Sequence, residues 1–271
     1  MKTWTTANFK ASKGKRRLGC ITAYDCTFAR LADAANVPLI LVGDSLGMTM
    51  LGYDSTLPVT MDQMISHTAA VSRGVTRNSL VIGDMPFLSY QASVEEGVRN
   101  AGRFLKEGRA DGVKLEGFYP ELVEKLVRTG IPVVGHLGMT PQYFNVFGGF
   151  KVQAKTWEAG ETLISQAKAL CEAGAFAITL ECVPPDIAKA VTEAVSCMTI
   201  GIGAGPDCDA QFLVMQDLLG MTESSPKFVK RFANLGEEIQ SAFAAYVAEV
   251  ADGTFPASEH CYKPAAPSTA G

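Results

Sequence analysis

Eight short apolar runs, each of strand length and each closed by Gly or a polar residue, limit what this chain can fold into. They are 18-LGCITAYD-25, 38-PLILVGD-44, 79-SLVIGDM-85, 111-DGVKLEG-117, 132-PVVGHLG-138, 176-FAITLEC-182, 198-MTIGIGA-204 and 212-FLVMQD-217. Polar and apolar residues do not alternate in them, and continuous apolar runs suit strands buried on both faces of a parallel sheet. Helix-like segments lie between most of them, at 27–35, 61–77, 93–107, 120–128, 156–172 and 185–195. Ser93, with Glu96 three residues on, has the spacing of a capping box. Strand and helix alternating in this way predict an α/β chain closed into a single (β/α)8 TIM barrel. About seven residues separate the last two runs, fewer than a helical crossover needs. Either that helix shrinks to a turn, or the sheet stays open and doubly wound. Residues 5–10 read as a short N-terminal helix of the kind that plugs a barrel bottom. No break in composition divides the chain, so 1–263 reads as one catalytic domain and 264-PAAPSTAG-271 as a disordered tail.

Composition excludes several classes of function. The 271 residues include 24 Lys+Arg against 28 Asp+Glu, a net charge of −4, and 47% are apolar. That apolar share excludes wholesale disorder. The acidic excess argues against a nucleic-acid or anionic-membrane surface, which requires clustered Lys and Arg. The one basic cluster, Lys13, Lys15, Arg16 and Arg17, reads as a solvated turn. No run reaches the ~20 apolar residues of a membrane helix, and the first twenty residues lack the apolar stretch of a secretory signal. The seven cysteines are odd in number and form no C-x-x-C, so neither a zinc site nor a thiol redox pair is indicated. Free thiols in a reducing, cytoplasmic compartment are expected.

Chemistry in a barrel gathers where the strands end. The residues there are Asp25, Asp44, Asp84, Glu116, His136, Glu181 and Asp217. Carboxylates converging on one rim repel one another unless a cation lies among them. Without a histidine cluster, oxygen ligands point to Mg2+. Asp25 and Asp217 are read as helix N-caps, and Asp44, Asp84 and Glu116 as functional. Lys114 lies two residues before Glu116, so both project to the same side of their strand. It either salt-bridges Glu116 or holds a substrate carboxylate. Glu181, between Leu180 and Cys182, reads as a buried acid suited to general-base work, or else as the partner of a nearby cation. His136 is a possible participant; His67 and His260 have no assigned role. The stretch 201-GIGAG-205 is either a phosphate cradle or a tight turn with close backbone packing.

A series of segments carries a family resemblance: 21-ITAYD-25, 41-LVGDSLGM-48, 54-DSTLPVT-60, 66-SHTAAV-71, 113-VKLEG-117, 135-GHLGMTPQ-142, 148-GGFKVQ-153, 180-LECVP-184 and 201-GIGAG-205. In this order they resemble the ketopantoate hydroxymethyltransferase family. The likeness departs at 206-PDCDAQ-211 and 221-MTESS-225. It implies a (β/α)8 barrel with Mg2+ near Asp44 and Asp84 and with Glu116 completing the site. Ser45 and Lys114 match positions that hold a 2-oxo acid, and Glu181 matches the catalytic base. The implied reaction moves a one-carbon unit from 5,10-methylenetetrahydrofolate to 2-oxoisovalerate, on the way to pantothenate and coenzyme A, and the implied assembly is a homodecamer. Two other readings stand beside it: a different Mg2+-dependent lyase or mutase of 2-oxo acids on the same barrel, and a barrel that binds an oxo acid without turnover.

Overall fold

The computed structural model describes residues 2–264. The tail expected to be disordered lies outside the described residues from position 265 onward. The strands are β1 (Leu18–Thr22), β2 (Leu39–Val42), β3 (Leu80–Asp84), β4 (Gly112–Glu116), β5 (Val133–Gly138), β6 (Ala177–Glu181), β7 (Met198–Ile202) and β8 (Ala210–Leu213). All pair in parallel and in sequence order, and β8 returns to β1 to close the barrel. The helices are α1 (Thr6–Lys10), α2 (Cys26–Ala34), α3 (Leu46–Thr49), α4 (Met61–Gly74), α5 (Val94–Lys106), α6 (Pro120–Arg128), α7 (Phe144–Phe147), α8 (Trp157–Glu172), α9 (Pro185–Ala194), α10 (Met215–Leu218) and α11 (Leu235–Asp252). The described residues form two compact units: 2–215 with 226–229, which holds the barrel, and 216–225 with 230–264. In the second unit Arg231 donates to the Thr222 carbonyl at 2.8 Å, and none of the α11 side chains is buried. Among the described residues no helix is long and apolar enough to cross a membrane.

The irregular link between β7 and β8 is a turn. Gly203 and Gly205 have φ of +65° and +77°. A Cβ on Gly203 would lie 2.7 Å from the Phe228 ring, and one on Gly205 2.6 Å from Pro185. The glycines of 201–205 thus serve a tight turn and close packing, which is the second of the two readings of that stretch. The last strand begins earlier than its apolar run, and residues 215–217 of that run enter α10.

Inward positions of the strands build a layered core. Leu18 and Cys20, Leu39 and Leu41, Leu80 and Ile82, Met198 and Ile200, and Ala210 and Phe212 fill it. At its lower end α1 acts as the expected plug. Thr5 caps it with a reciprocal capping box, and Phe9 meets Trp4 and Phe176 edge-on, both at 6.1 Å. Toward the strands' carboxyl ends the inward side chains turn polar: Asp84, Lys114, Glu116 and His136 are all buried.

One buried acid organises the outer layer. The helix expected to run to Arg77 ends at Gly74 because the next backbone donors turn to Asp33 at the end of α2. Its carboxylate accepts N–H groups from Thr76, Arg77, Asn78 and Ser79 at 2.8–3.0 Å. Burial pushes the Asp33 carboxyl up, but the Ser79, Thr76, Asn78 and Arg77 donors outweigh it and hold the group below its ordinary range. Asp33→Ala leaves four backbone donors without that partner and is expected to cost about 2–4 kcal/mol in urea unfolding. A depressed folded-state pKa makes the Asp33 contribution complete above the unfolded value of about 3.9. It is lost as pH falls through the lower folded value, so the gap between wild type and variant should narrow as pH falls below about 4.

Candidate active site

Strand register decides which side chains meet. Asp84 pairs with Lys114 across β3 and β4, Glu116 with His136 across β4 and β5, and Gly138 with Glu181 across β5 and β6. Period-two alternation then turns Lys114 and Glu116 to the same inner side. The Lys114 ammonium donates to both Asp84 oxygens at 2.7 and 2.8 Å and to Glu116 Oε1 at 3.3 Å. Asp44, just past β2, donates through its backbone N–H to Asp84 Oδ2 at 3.3 Å. Ser45, the next residue, shares a 2.9 Å hydrogen bond with the Tyr24 hydroxyl.

His136 lies between two acids. Its Nδ1 is 3.3 Å from Glu116 Oε1 and its Nε2 is 3.3 Å from Glu181 Oε2. Neither contact has hydrogen-bond alignment. Glu181 is less enclosed than its apolar neighbours in sequence imply, with an 18% exposed side chain. Leu180 and Cys182 flank it along the chain, but alternation points them away. Its backbone is locked from β5: Met139 N–H donates to the Glu181 carbonyl at 2.8 Å, and a Cβ on Gly138 would lie 2.4 Å from that oxygen.

The charges are unevenly matched. Burial pushes Asp44 well above the usual carboxylate range, and the Asp84 and Glu116 charges push it further, against Lys114 and Gln142. Burial would likewise raise Glu116, but Lys114 and His136 hold it down at about 2. Burial and Lys114 would lower His136, whereas Glu116 and Glu181 raise it to about 9. Burial alone would deprotonate Lys114; Asp84, Glu116 and Asp44 keep it charged. One oxygen from each of Asp44, Asp84 and Glu116 lies within 4.8 Å of the others. That hard, all-oxygen donor set suits Mg2+, and a divalent cation supplies the positive charge that Asp44 lacks.

Not every strand-end acid joins the cluster. Asp25 caps α2, accepting from Thr27 N–H at 2.7 Å and Phe28 N–H at 2.9 Å, as read from the sequence. Asp217 lies in α10, where its carboxylate accepts from the Thr222 hydroxyl. His67 is bonded through Nδ1 to the Tyr24 carbonyl at 2.7 Å.

Two residues of the site escaped the sequence reading. Gln142, one turn beyond β5, donates through Nε2 to Asp44 Oδ2 at 3.0 Å and to the Met85 carbonyl at 2.9 Å, and through its backbone N–H to Glu116 Oε2 at 3.0 Å. Tyr90 Oη accepts from the Glu116 N–H at 2.9 Å and lies 2.8 Å from Gln142 Oε1. A side-chain amide and a phenol carry no strand-end signal; only Gln142's place within 135-GHLGMTPQ-142 hinted at a role. Between the ends of β4 and β5 and helix α8, a cavity of about 440 Å³ is lined by Gly117, Tyr119, Gly138, Thr140 and Tyr143, among others. Gln142→Leu is expected to leave the barrel folded and to weaken divalent-cation binding ~10–100-fold in calorimetric titration with Mg2+, because Asp44 loses the donor that orients it. An unchanged affinity would remove Gln142 from that role.

Residues 3–258 match the family model described as ketopantoate hydroxymethyltransferase. The 3-methyl-2-oxobutanoate hydroxymethyltransferase of Clostridium novyi is 56% identical over 266 residues, spanning 97% of this chain and 96% of that protein. The protein of the same name from Enterococcus faecalis is 54% identical, spanning 96% and 95%. Among solved structures, phosphonopyruvate hydrolase superposes with a TM-score of 0.61 at 11% identity, covering 98% of this chain and 92% of that one. The phosphoenolpyruvate phosphomutase of Streptomyces platensis does so at 0.60 and 12%, covering 96% and 93%. The structural likenesses show the fold alone. The family model and the close sequence relatives, each spanning nearly the whole chain, show that it belongs to the ketopantoate hydroxymethyltransferase family.

Proposed function

We propose that this chain transfers a hydroxymethyl group from 5,10-methylenetetrahydrofolate to 3-methyl-2-oxobutanoate, giving ketopantoate for pantothenate and coenzyme A synthesis. One observation carries the reading: a buried Asp44–Asp84–Glu116 oxygen triad lies beside Lys114, and Glu181 stands apart from it across His136. That arrangement separates a pole for the substrate's oxygens from a base for its carbon.

Asp44, Asp84 and Glu116 would hold Mg2+, which when bound supplies Lewis-acid stabilisation of the charge developing on the oxo acid's oxygens. Lys114 adds a fixed positive charge at the same pole, in a buried setting where it acts strongly. Ser45 offers a hydroxyl at the rim for the substrate carboxylate. Glu181 takes the proton from C3 of the oxo acid, and to do so it must lie within ~3 Å of that carbon's hydrogen or reach it through one water. His136, charged between Glu116 and Glu181, sets a positive charge 3.3 Å from the Glu181 carboxylate. The deprotonated C3 then bonds to the folate methylene carbon as one of its C–N bonds breaks; the oxygen of water replaces the second nitrogen there, and protons go to the nitrogens, leaving the hydroxymethyl group and tetrahydrofolate. The cavity lined by Tyr119 and Tyr143 provides flat aromatic walls for the larger co-substrate. A homodecamer in the cytoplasm completes the proposal, on the strength of the family resemblance.

Proton NMR of the protein with 3-methyl-2-oxobutanoate and Mg2+ in D2O tests this directly. The C3 proton is expected to exchange, and a hydroxymethyl product to appear only after methylenetetrahydrofolate is added. Exchange without product would retain the base and the metal site but rule out the one-carbon donor; no exchange in either condition would favour a binding protein. Glu181→Gln should slow exchange ~10²–10⁴-fold while leaving oxo-acid binding intact. Asp84→Ala should abolish the Mg2+ dependence of oxo-acid binding measured by calorimetry.

A further inference from the structure

At the end of the barrel opposite the acid cluster, two cysteines lie in hydrogen-bond contact. Cys171 occupies the last turn of α8, and Cys197 immediately precedes β7. The sulfur of Cys171 accepts the Cys197 backbone N–H at 3.2 Å and lies 3.3 Å from Ser196 Oγ. The backbone contact seats the Cys197 residue directly against that sulfur. Cys171 is half-buried, whereas Cys197 is buried. No C-x-x-C spacing announces the pair: 26 residues separate the two, and the return of the chain from α8 through β6 and α9 to β7 brings them together.

From this geometry we propose that Cys171 and Cys197 form a peroxide-reactive dithiol that closes to a reversible disulfide. Cys171 is the attacking sulfur, because it receives the donors and belongs to the less buried residue of the two. Its thiolate attacks a hydroperoxide; the O–O bond breaks, hydroxide (or an alkoxide) leaves, and sulfur is oxidised to the sulfenic acid. The Cys197 sulfur then attacks Cys171; the S–O bond breaks, an S–S bond forms, and the displaced oxygen leaves as water with the thiol proton. The product ties the end of α8 to the start of β7 and is reopened by an external thiol.

The electrostatics agree with these roles. The Cys197 thiol has the largest influence on Cys171; burial opposes it, and the Ser196 hydroxyl adds to it, bringing the Cys171 thiol down to about 5. The carboxyl end of α8 disfavours a negative charge there, and the converging donors outweigh it. Cys197 moves the opposite way, through its bond to Cys171 and through burial. Such a low-pKa, partly exposed thiol beside a second sulfur is the arrangement found at redox-sensitive cysteines.

The test is brief exposure of the purified protein to equimolar hydrogen peroxide, followed by alkylation of free thiols and peptide mass spectrometry. The expected product is a Cys171–Cys197 disulfide, with an intact mass lower by two hydrogens and full reversal by dithiothreitol. The exposed Cys261 should remain alkylatable at the same dose. Cys197→Ser should leave a sulfenic acid on Cys171 that dimedone captures. In the unmodified protein, iodoacetamide should label Cys171 about 10-fold faster than Cys261 at pH 7, a readout that needs no variant. Cys171 reacting no faster than Cys261, or oxidation pairing Cys171 with any cysteine other than Cys197, would overturn the proposal.

Discussion

The upper half of this barrel depends on keeping one ammonium charged out of water. Lys114 projects into the interior from the middle of β4, and a buried cation is tolerated only when anions surround it. Asp84 meets it with both oxygens and Glu116 with one. Those acids in turn need the lysine, since burial would otherwise drive protons onto them. Asp44 has no such direct ion pair, and burial beside two acids holds its carboxyl well above the usual range. Asp84 too is held above its ordinary range by burial despite the lysine, so the cluster is short of positive charge where the three oxygens converge. The same imbalance that burdens the protein alone suits it to a divalent cation.

Strand register turns this charge balance into geometry. Parallel neighbours place Asp84 against Lys114 and Glu116 against His136, so acids and bases alternate around the rim. The next register step places Glu181 on the far side of His136 from Glu116. The support is rigid and polar. Gln142 ties Asp44 and Glu116 to the loop after β5, and Tyr90 ties that loop to the end of β4. Below this layer the interior is apolar down to the α1 plug, which keeps water from the lower side of the charges.

Much of this was legible in the chain. Continuous apolar runs reported strands buried on both faces, and their alternation with helices reported the closed parallel sheet. Period two within 112–116 put Lys114 and Glu116 on one side before any contact was known. Reading Asp25 as a helix cap was right because a cap is a local device, decided by N–H groups two and three residues on. The eighth run misled by a few residues: its apolar character spans both β8 and the start of α10, and short apolar stretches carry no mark of where strand becomes helix. Asp217, read as a helix cap, accordingly sits inside α10 instead. Enclosure of Glu181 was also overestimated, since flanking residues in a strand face away from it.

What the sequence determined by itself was local and periodic: which segments form strands, which helices follow them, where caps fall, and which side chains share a strand face. These depend on interactions within a few residues, and the order of residues encodes them directly. What only the tertiary structure decided was every pairing across the barrel. His136 between Glu116 and Glu181, Gln142 reaching Asp44 across 98 residues, and Cys171 against Cys197 across 26 are such cases. Each depends on strand order, register and the path of a loop. Those quantities are fixed by closing the whole sheet and burying its core, so no stretch of the chain carries them alone.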